Sequence, residues 1–161
     1  PGGPKIDRVA KDGNPEAIPF KRVFLEKGSL DFSFSGLKTS FLYFLRDRLK
    51  EDPDFIEKNK ADLCASIQKE IIDTLMKKLV KATKETGIKQ VAIAGGVSAN
   101  SGLQNAMHEN GRRYRWKVFI PKFKFSTDNA AMIGIAGYFK YKSGQFATQD
   151  LTPYARTTTQ K

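Results

Sequence analysis

The segment VAIAGGVSANSGLQ (Val91–Gln104) carries an apolar run into Gly95 and Gly96 and then toward a helical pattern. Glycine has no Cβ to hold a ligand off the backbone, and the first N–H groups of a helix lack intrahelical partners. Such a junction can bind an anion or a nucleotide. It can equally be a plain tight connection, and the pattern is neither GxGxxG nor a Walker loop. Three other stretches carry candidate chemistry. In STDNAAMIGIAG (Ser126–Gly137), Asp128 sits where a loop meets a helix, placed either to cap that helix or to ligate a metal. Gly134 and Gly137 each cost that helix roughly 1 kcal/mol unless a neighbour or a flat ligand packs against them. In PGGPKIDR, Gly3 and Asp7 can bring a carboxylate to a ribose hydroxyl, or can be a turn followed by a surface helix. In DFSFSGLKTS, Lys38 stands near serines and a glycine, although a solvated lysine on an amphipathic helix has the same appearance.

What the chain lacks narrows the chemistry further. With one histidine (His108) and one cysteine (Cys64), it cannot build a zinc site or a histidine-based triad from its own residues. A single cysteine also excludes an internal disulfide and fits a reducing compartment. No stretch reaches the roughly 20 apolar residues that span a bilayer, and no signal-peptide pattern opens the chain, so a soluble, cytoplasmic protein is expected. The sequence begins at Pro1 without methionine, which suggests a portion of a longer protein.

Net charge is +11, which favours polyanionic partners. Much of it falls in GRRYRWKVFIPKFK (Gly111–Lys124), where Arg112, Arg113, Arg115, Lys117, Lys122 and Lys124 occur without an acid. Aromatic residues interleave with them, so cations can neutralise phosphates while rings stack on bases. An edge strand with one basic and one aromatic face would show the same alternation at Arg113–Trp116.

These residues need elements to position them. Ile6, Val9 and Ala10 between Pro4 and Gly13 read as a short helix, followed by loop through DGNPEAIPFKR. Phe32 and Phe34 alternate as a short strand that breaks at Gly36. Apolar positions 37, 41, 44, 45 and 49 follow helical spacing as far as Asp52-Pro53. Leu63, Ile67, Ile71, Leu75 and Leu79 define a longer helix closed by Gly87. IKQVAIAGG then reads as a buried strand, a helix begins near Ser98, WKVFIP reads as a second strand, and AAMIGIAGYFKYKSG as a last helix. Strand and helix alternating from about 88 to 143 predict an α/β layer preceded by a helical segment. The expected organisation is a segment 1–30 that helps complete a nucleotide cleft, a helical segment 31–86, an α/β lobe 87–146 and a tail 147–161.

PGGPKID, DFSFSGLKT, ASIQKEIIDTL, AGGVSAN and STDNAAM, in that order, resemble the TsaD/YgjD family, formerly called Gcp or O-sialoglycoprotein endopeptidase. The likeness runs from Pro1 to about Arg156, and the wording of GGVSAN followed by TDNAAM carries most of its specificity. It implies the C-terminal lobe of the actin-like, sugar-kinase and heat-shock-chaperone ATPase (ribonuclease H-like) fold, with a helical insertion. The implied reaction moves a threonylcarbamoyl group from threonylcarbamoyl-AMP to N6 of the adenosine 3′ of the tRNA anticodon. Gly3, Asp7 and Asn100 match the family's nucleotide- or substrate-binding positions, with Gly95 and Gly96 lining the same site. Asp128 matches a carboxylate ligand of one iron or zinc ion. That metal's other ligands are two histidines of a His-x-x-x-His motif that this sequence does not contain, and His108 is not in that context. The chain therefore resembles the C-terminal portion of the enzyme, expected to be inactive alone, with ATP, AMP or the adenylate as ligand. TsaB- and TsaE-type partners are implied for bacteria. Tracing tRNA contact to Arg112, Arg113, Arg115 and Lys117 rests on charge, not on the resemblance. Two other functions compete: a metalloprotease, which nothing like HExxH supports, and a non-catalytic nucleotide-binding or partner-docking module.

Overall fold

The computed structural model describes residues 2–20 and 29–152. It divides into two compact units at Ser126/Thr127. The first unit carries α1 (Gly2–Val9) with a 3-10 turn after it, α2 (Ser35–Glu51), α3 (Phe55–Lys58), α4 (Lys60–Thr86), β1 (Gln90–Ala92), α5 (Ser101–Tyr114) and β2 (Lys117–Phe119). The second carries α6 (Ala130–Lys142).

Local chemistry sets the ends of the two longest helices. Asp52 precedes a proline, which disfavours helical backbone there, and it is extended (φ −139°, ψ 105°) where α2 ends. Gly87 closes α4 in the left-handed conformation (φ 71°), its N–H donating to the Thr83 carbonyl at 3.1 Å. Gly111 faces β2 so closely that a Cβ there would lie 2.7 Å from Val118 Cγ2.

β1 and β2 are parallel, with Val91 opposite Val118 and Ala92 opposite Phe119. Parallel neighbours require a crossover, and α5 supplies it. Helix-rich with a small parallel sheet, the chain is thus of mixed α/β type. α4 and α5 cover one core with the strands, built on Met76, Val91, Leu103, Met107 and Trp116. Met107 is completely buried, so Met107→Ala is expected to cost about 2–5 kcal/mol. Denaturant unfolding would measure that loss, and an unchanged midpoint would contradict this core.

Several local expectations change. Residues 29–34 form no strand: among the described residues they join no β-ladder, and the Phe32 and Phe34 rings stack on each other at 6.1 Å. Gly36 lies inside α2 rather than breaking the chain. Arg113 and Tyr114, half of the alternation that an edge strand would show, are in the last turn of α5, and Arg115 caps it with φ 58°. β1 is shorter and barer than the sequence suggests, with only Val91 buried. The tail beyond Thr152, and Lys21–Gly28 within the expected loop and first segment, lie outside the described residues.

Candidate functional site

β1 runs out at Ala92, and the glycine pair follows it at the carboxyl end of the strand. Gly95 has φ 78° and ψ 177°, a conformation that a side chain would strain. Gly96 has no such backbone reason. It opens a short 3-10 turn, Gly96–Ala99, and a Cβ built on it meets nothing within 4 Å. Ser98, almost fully buried, holds the turn by donating its hydroxyl to the Gly95 carbonyl at 2.7 Å. The glycines therefore do not feed the helix directly, and α5 starts at Ser101 rather than near Ser98.

Asn100 separates turn and helix as the N-cap of α5. Its Oδ1 accepts from the Leu103 N–H at 2.8 Å, and its Nδ2 donates to Gln68 Oε1 at 2.7 Å. Asp7 reaches the same helix end from α1: its carboxylate accepts the Ser101 N–H at 3.0 Å and the Ser101 hydroxyl at 2.9 Å. Ninety-four positions apart in the chain, Asp7 and Ser101 meet because α1 lies along α4 beside this end of the sheet. The positive end of α5 favours the carboxylate. Two of the first N–H groups of α5 are thus taken by protein side chains, and a negative charge already sits beside them. A phosphate gains little at this helix end, whereas Asp7 has further acceptor capacity for a hydroxyl. Beside the turn lies a cavity of about 760 Å³ with apolar walls that include Ile6, Phe34, Leu75, Ile93 and Val97. Lys38 is on its lining.

Gly3 sits on the exposed side of α1, also with nothing within 4 Å of a built Cβ. The first unit thus brings Asp7, Asn100, Gly95 and Gly96 to one end of the sheet. Sequence reading missed Ser101 and Gln68, which hold Asp7 and Asn100 in place. A serine directly after an asparagine cap is a visible signal, but its partner on α1 is not.

Asp128 belongs to the second unit and is exposed. It does not cap α6: Asn129 does, its Oδ1 accepting from the Met132 N–H at 3.0 Å. The helix begins one residue later than a cap at Asp128 would require. Gly134 and Gly137 have nothing packed against them among the described residues. Among the described residues no group of three or more His, Cys, Asp or Glu side chains comes together to hold a metal ion. Asp128 offers one carboxylate, and these residues alone do not make a metal centre. His108 is an exposed residue of α5. Among the described residues no helix is long and apolar enough to cross a membrane.

Residues 1–135 match the TsaD family, described as tRNA N6-adenosine threonylcarbamoyltransferase. The chain belongs to this family. A relative from Porphyromonas gingivalis bearing that same name is 61% identical over 98% of this chain and 46% of its own length. One from Christiangramia forsetii is 54% identical over 97% of the chain and 45% of its own length. One from Clostridium beijerinckii is 46% identical over 97% and 44%. The chain thus spans about half the length of the curated relatives it matches. Membership does not favour the protease reading, since these relatives are named as transferases. It also leaves each TsaD site position to be judged on the contacts above.

Proposed function

We propose that this chain forms the C-terminal portion of a cytoplasmic tRNA-modifying transferase, within the C-terminal lobe of an actin-like ATPase fold. The reaction moves threonylcarbamoyl from threonylcarbamoyl-AMP to N6 of the adenosine 3′ of the tRNA anticodon. The N6 amine attacks the carbamoyl carbon, the C–N bond forms, the bond to the phosphate oxygen breaks, AMP leaves and the amine gives up a proton. Holding amine and carbonyl together accounts for much of the rate in such a step. The observation that carries this reading is the open approach at Gly96, beside Asp7 and Asn100, in a chain of this family.

On this reading the glycine turn and Asp7 receive the nucleoside part of the adenylate, with Gly3 leaving α1 open to it. Asp7 accepts from a ribose hydroxyl through the lone pairs that Ser101 leaves, and the phosphate points away from the α5 terminus. AMP or ATP would occupy the same place. Asp128 is one proposed ligand of an iron or zinc ion whose other ligands lie outside these residues, and no step here passes through that ion. TsaB- and TsaE-type proteins are the proposed partners.

A transfer assay with threonylcarbamoyl-AMP and unmodified tRNA tests the proposal. Modified tRNA is expected when the chain is joined to the part of its relatives that it does not span, with partners present, and not from the 161 residues alone. Transfer by the 161 residues alone would overturn the shared site, and no transfer in either case would overturn the function.

A further inference from the structure

At the opposite end of the sheet from the glycine turn, cations from α4, α5 and the residue before β1 meet. Because β1 and β2 are parallel, their amino ends lie together, and the Lys117 N–H donates to the Lys89 carbonyl at 2.8 Å. The carboxyl ends of α4 and α5 carry Lys84, Arg112 and Arg113, with Arg115 just beyond. Lys84, Lys89, Arg112, Arg113 and Arg115 are exposed, and among the described residues none of them forms an ion pair. Lys117, expected from its charge to join them, turns instead toward the carboxyl end of β2, its ammonium 5.3 Å from the centre of the Phe119 ring. Two acids stand nearby on the same helices, Glu85 and Glu109, and Glu85 is paired with Lys81 at 3.5 Å.

Helix dipoles explain part of this cluster, since cations in a last turn are stabilised by roughly 0.3–1 kcal/mol each. They do not explain Lys89, which lies beyond the cap of α4 and outside both helices. Nor is the cluster a base-stacking platform. Trp116 is buried, and Tyr114 stacks on it at 5.4 Å. The Arg113 guanidinium and the Lys84 ammonium lie over the Tyr114 ring at 5.4 and 5.7 Å. Resting a cation on a ring restrains the long side chain while its N–H donors remain available, which lowers the entropy lost on binding a phosphate.

We infer that Lys84, Lys89, Arg112, Arg113 and Arg115 form a docking face for the sugar–phosphate backbone of RNA, at the end of the sheet remote from the reacting adenosine. This rests on the transferase reading for the identity of the RNA. Two three-residue strands at about 3.3 Å per residue separate the face from the glycine turn by roughly 10 Å before loops are counted. A polymer can occupy both ends at once, whereas a free nucleotide at the glycine turn cannot.

The test uses the full protein carrying Lys84→Gln, Lys89→Gln and Arg113→Gln together, with unmodified tRNA titrated across a salt series. Each lost phosphate contact should lower the slope of log affinity against log salt by about one, so a drop of about 2–3 and at least about tenfold weaker binding are expected. Arg113→Lys should keep the slope, and AMP binding should be unchanged in every variant. Lys89→Gln alone, outside any helix, covers the case in which the triple variant melts early, with an expected drop of about one. Unchanged slope and affinity would overturn the inference, as would a wild-type protein that binds phosphatidylserine vesicles but no RNA. A variant that transfers the group with an unchanged KM for tRNA overturns the docking face alone. Salt-dependent RNA binding lost in the variant, from a wild type that transfers nothing, overturns the transferase reading and leaves the face standing.

Discussion

Gly13→Ala is expected to be among the most destabilising single-methyl additions in the chain, costing roughly 1–3 kcal/mol or more from overpacking. A Cβ at Gly13 would lie 2.1 Å from the Ala61 carbonyl oxygen, 2.3 Å from its carbon and 2.7 Å from the Asp62 nitrogen. All three are backbone atoms at the start of α4, so no side chain can swing aside. The turn is held there by the Asn14 N–H on Asp62 Oδ1 at 2.7 Å and the Ile18 N–H on Ser66 Oγ at 3.2 Å. Pushing it out also moves α1, and with it the Asp7 carboxylate that caps Ser101. Weakening the two hydrogen bonds that Ser101 donates to Asp7 adds about 1 kcal/mol to the expected cost. At about 2–4 °C per kcal/mol for a chain of this size, melting followed by circular dichroism would show the change directly. Gly2→Ala is the control, since nothing lies within 4 Å of its Cβ. A melting point equal to that control would show that the α1–α4 contact yields without cost.

The sequence shows Gly13 only as a helix stop, and its closer role illustrates what was legible. Helical spacing located α2 and α4 because each pattern is local and ends in a recognisable signal, Pro53 or Gly87. The alternation at Phe32 and Phe34 misled because a strand needs a partner, and partners are set by tertiary structure. At 113–116 a period-two pattern of basic and aromatic residues belongs to a helix end, where Arg115 makes the turn that glycine usually makes. STDNAA contains two adjacent cap residues, and only backbone geometry chooses Asn129 over Asp128. In the candidate site, the glycine turn and Asn100 were visible as a motif. The link from Asp7 to Ser101 was not, because it depends on how α1 docks, and that docking depends on Gly13, Asn14 and Ser66. The side chains that hold the site are thus less legible than those expected to touch a ligand.

This distinction governs how the site should be probed. Asn100→Ala removes a ligand candidate, but it also removes the α5 N-cap and the hydrogen bond to Gln68, at about 0.5–2 kcal/mol for the cap alone. Lost AMP binding in that variant would follow from either cause. Gly96→Ala separates them. The backbone at Gly96 is outside the left-handed region, and its Cβ position is open, so alanine fits the fold without contact. Reduced freedom of the unfolded chain should even stabilise the variant by about 0.4–1 kcal/mol. If a nucleoside lies against this turn, the same methyl stands in its place, and AMP affinity should fall by about tenfold or more. Gly95→Ala makes the contrast sharper, since at φ 78° it should strain the backbone by about 1–3 kcal/mol and lower the melting point as well. Calorimetric titration with AMP, beside thermal melts of both variants in the full protein, reads the two effects independently. Wild-type AMP affinity in a stable Gly96→Ala variant would remove the ligand from the glycine turn and leave that turn a connection between β1 and α5.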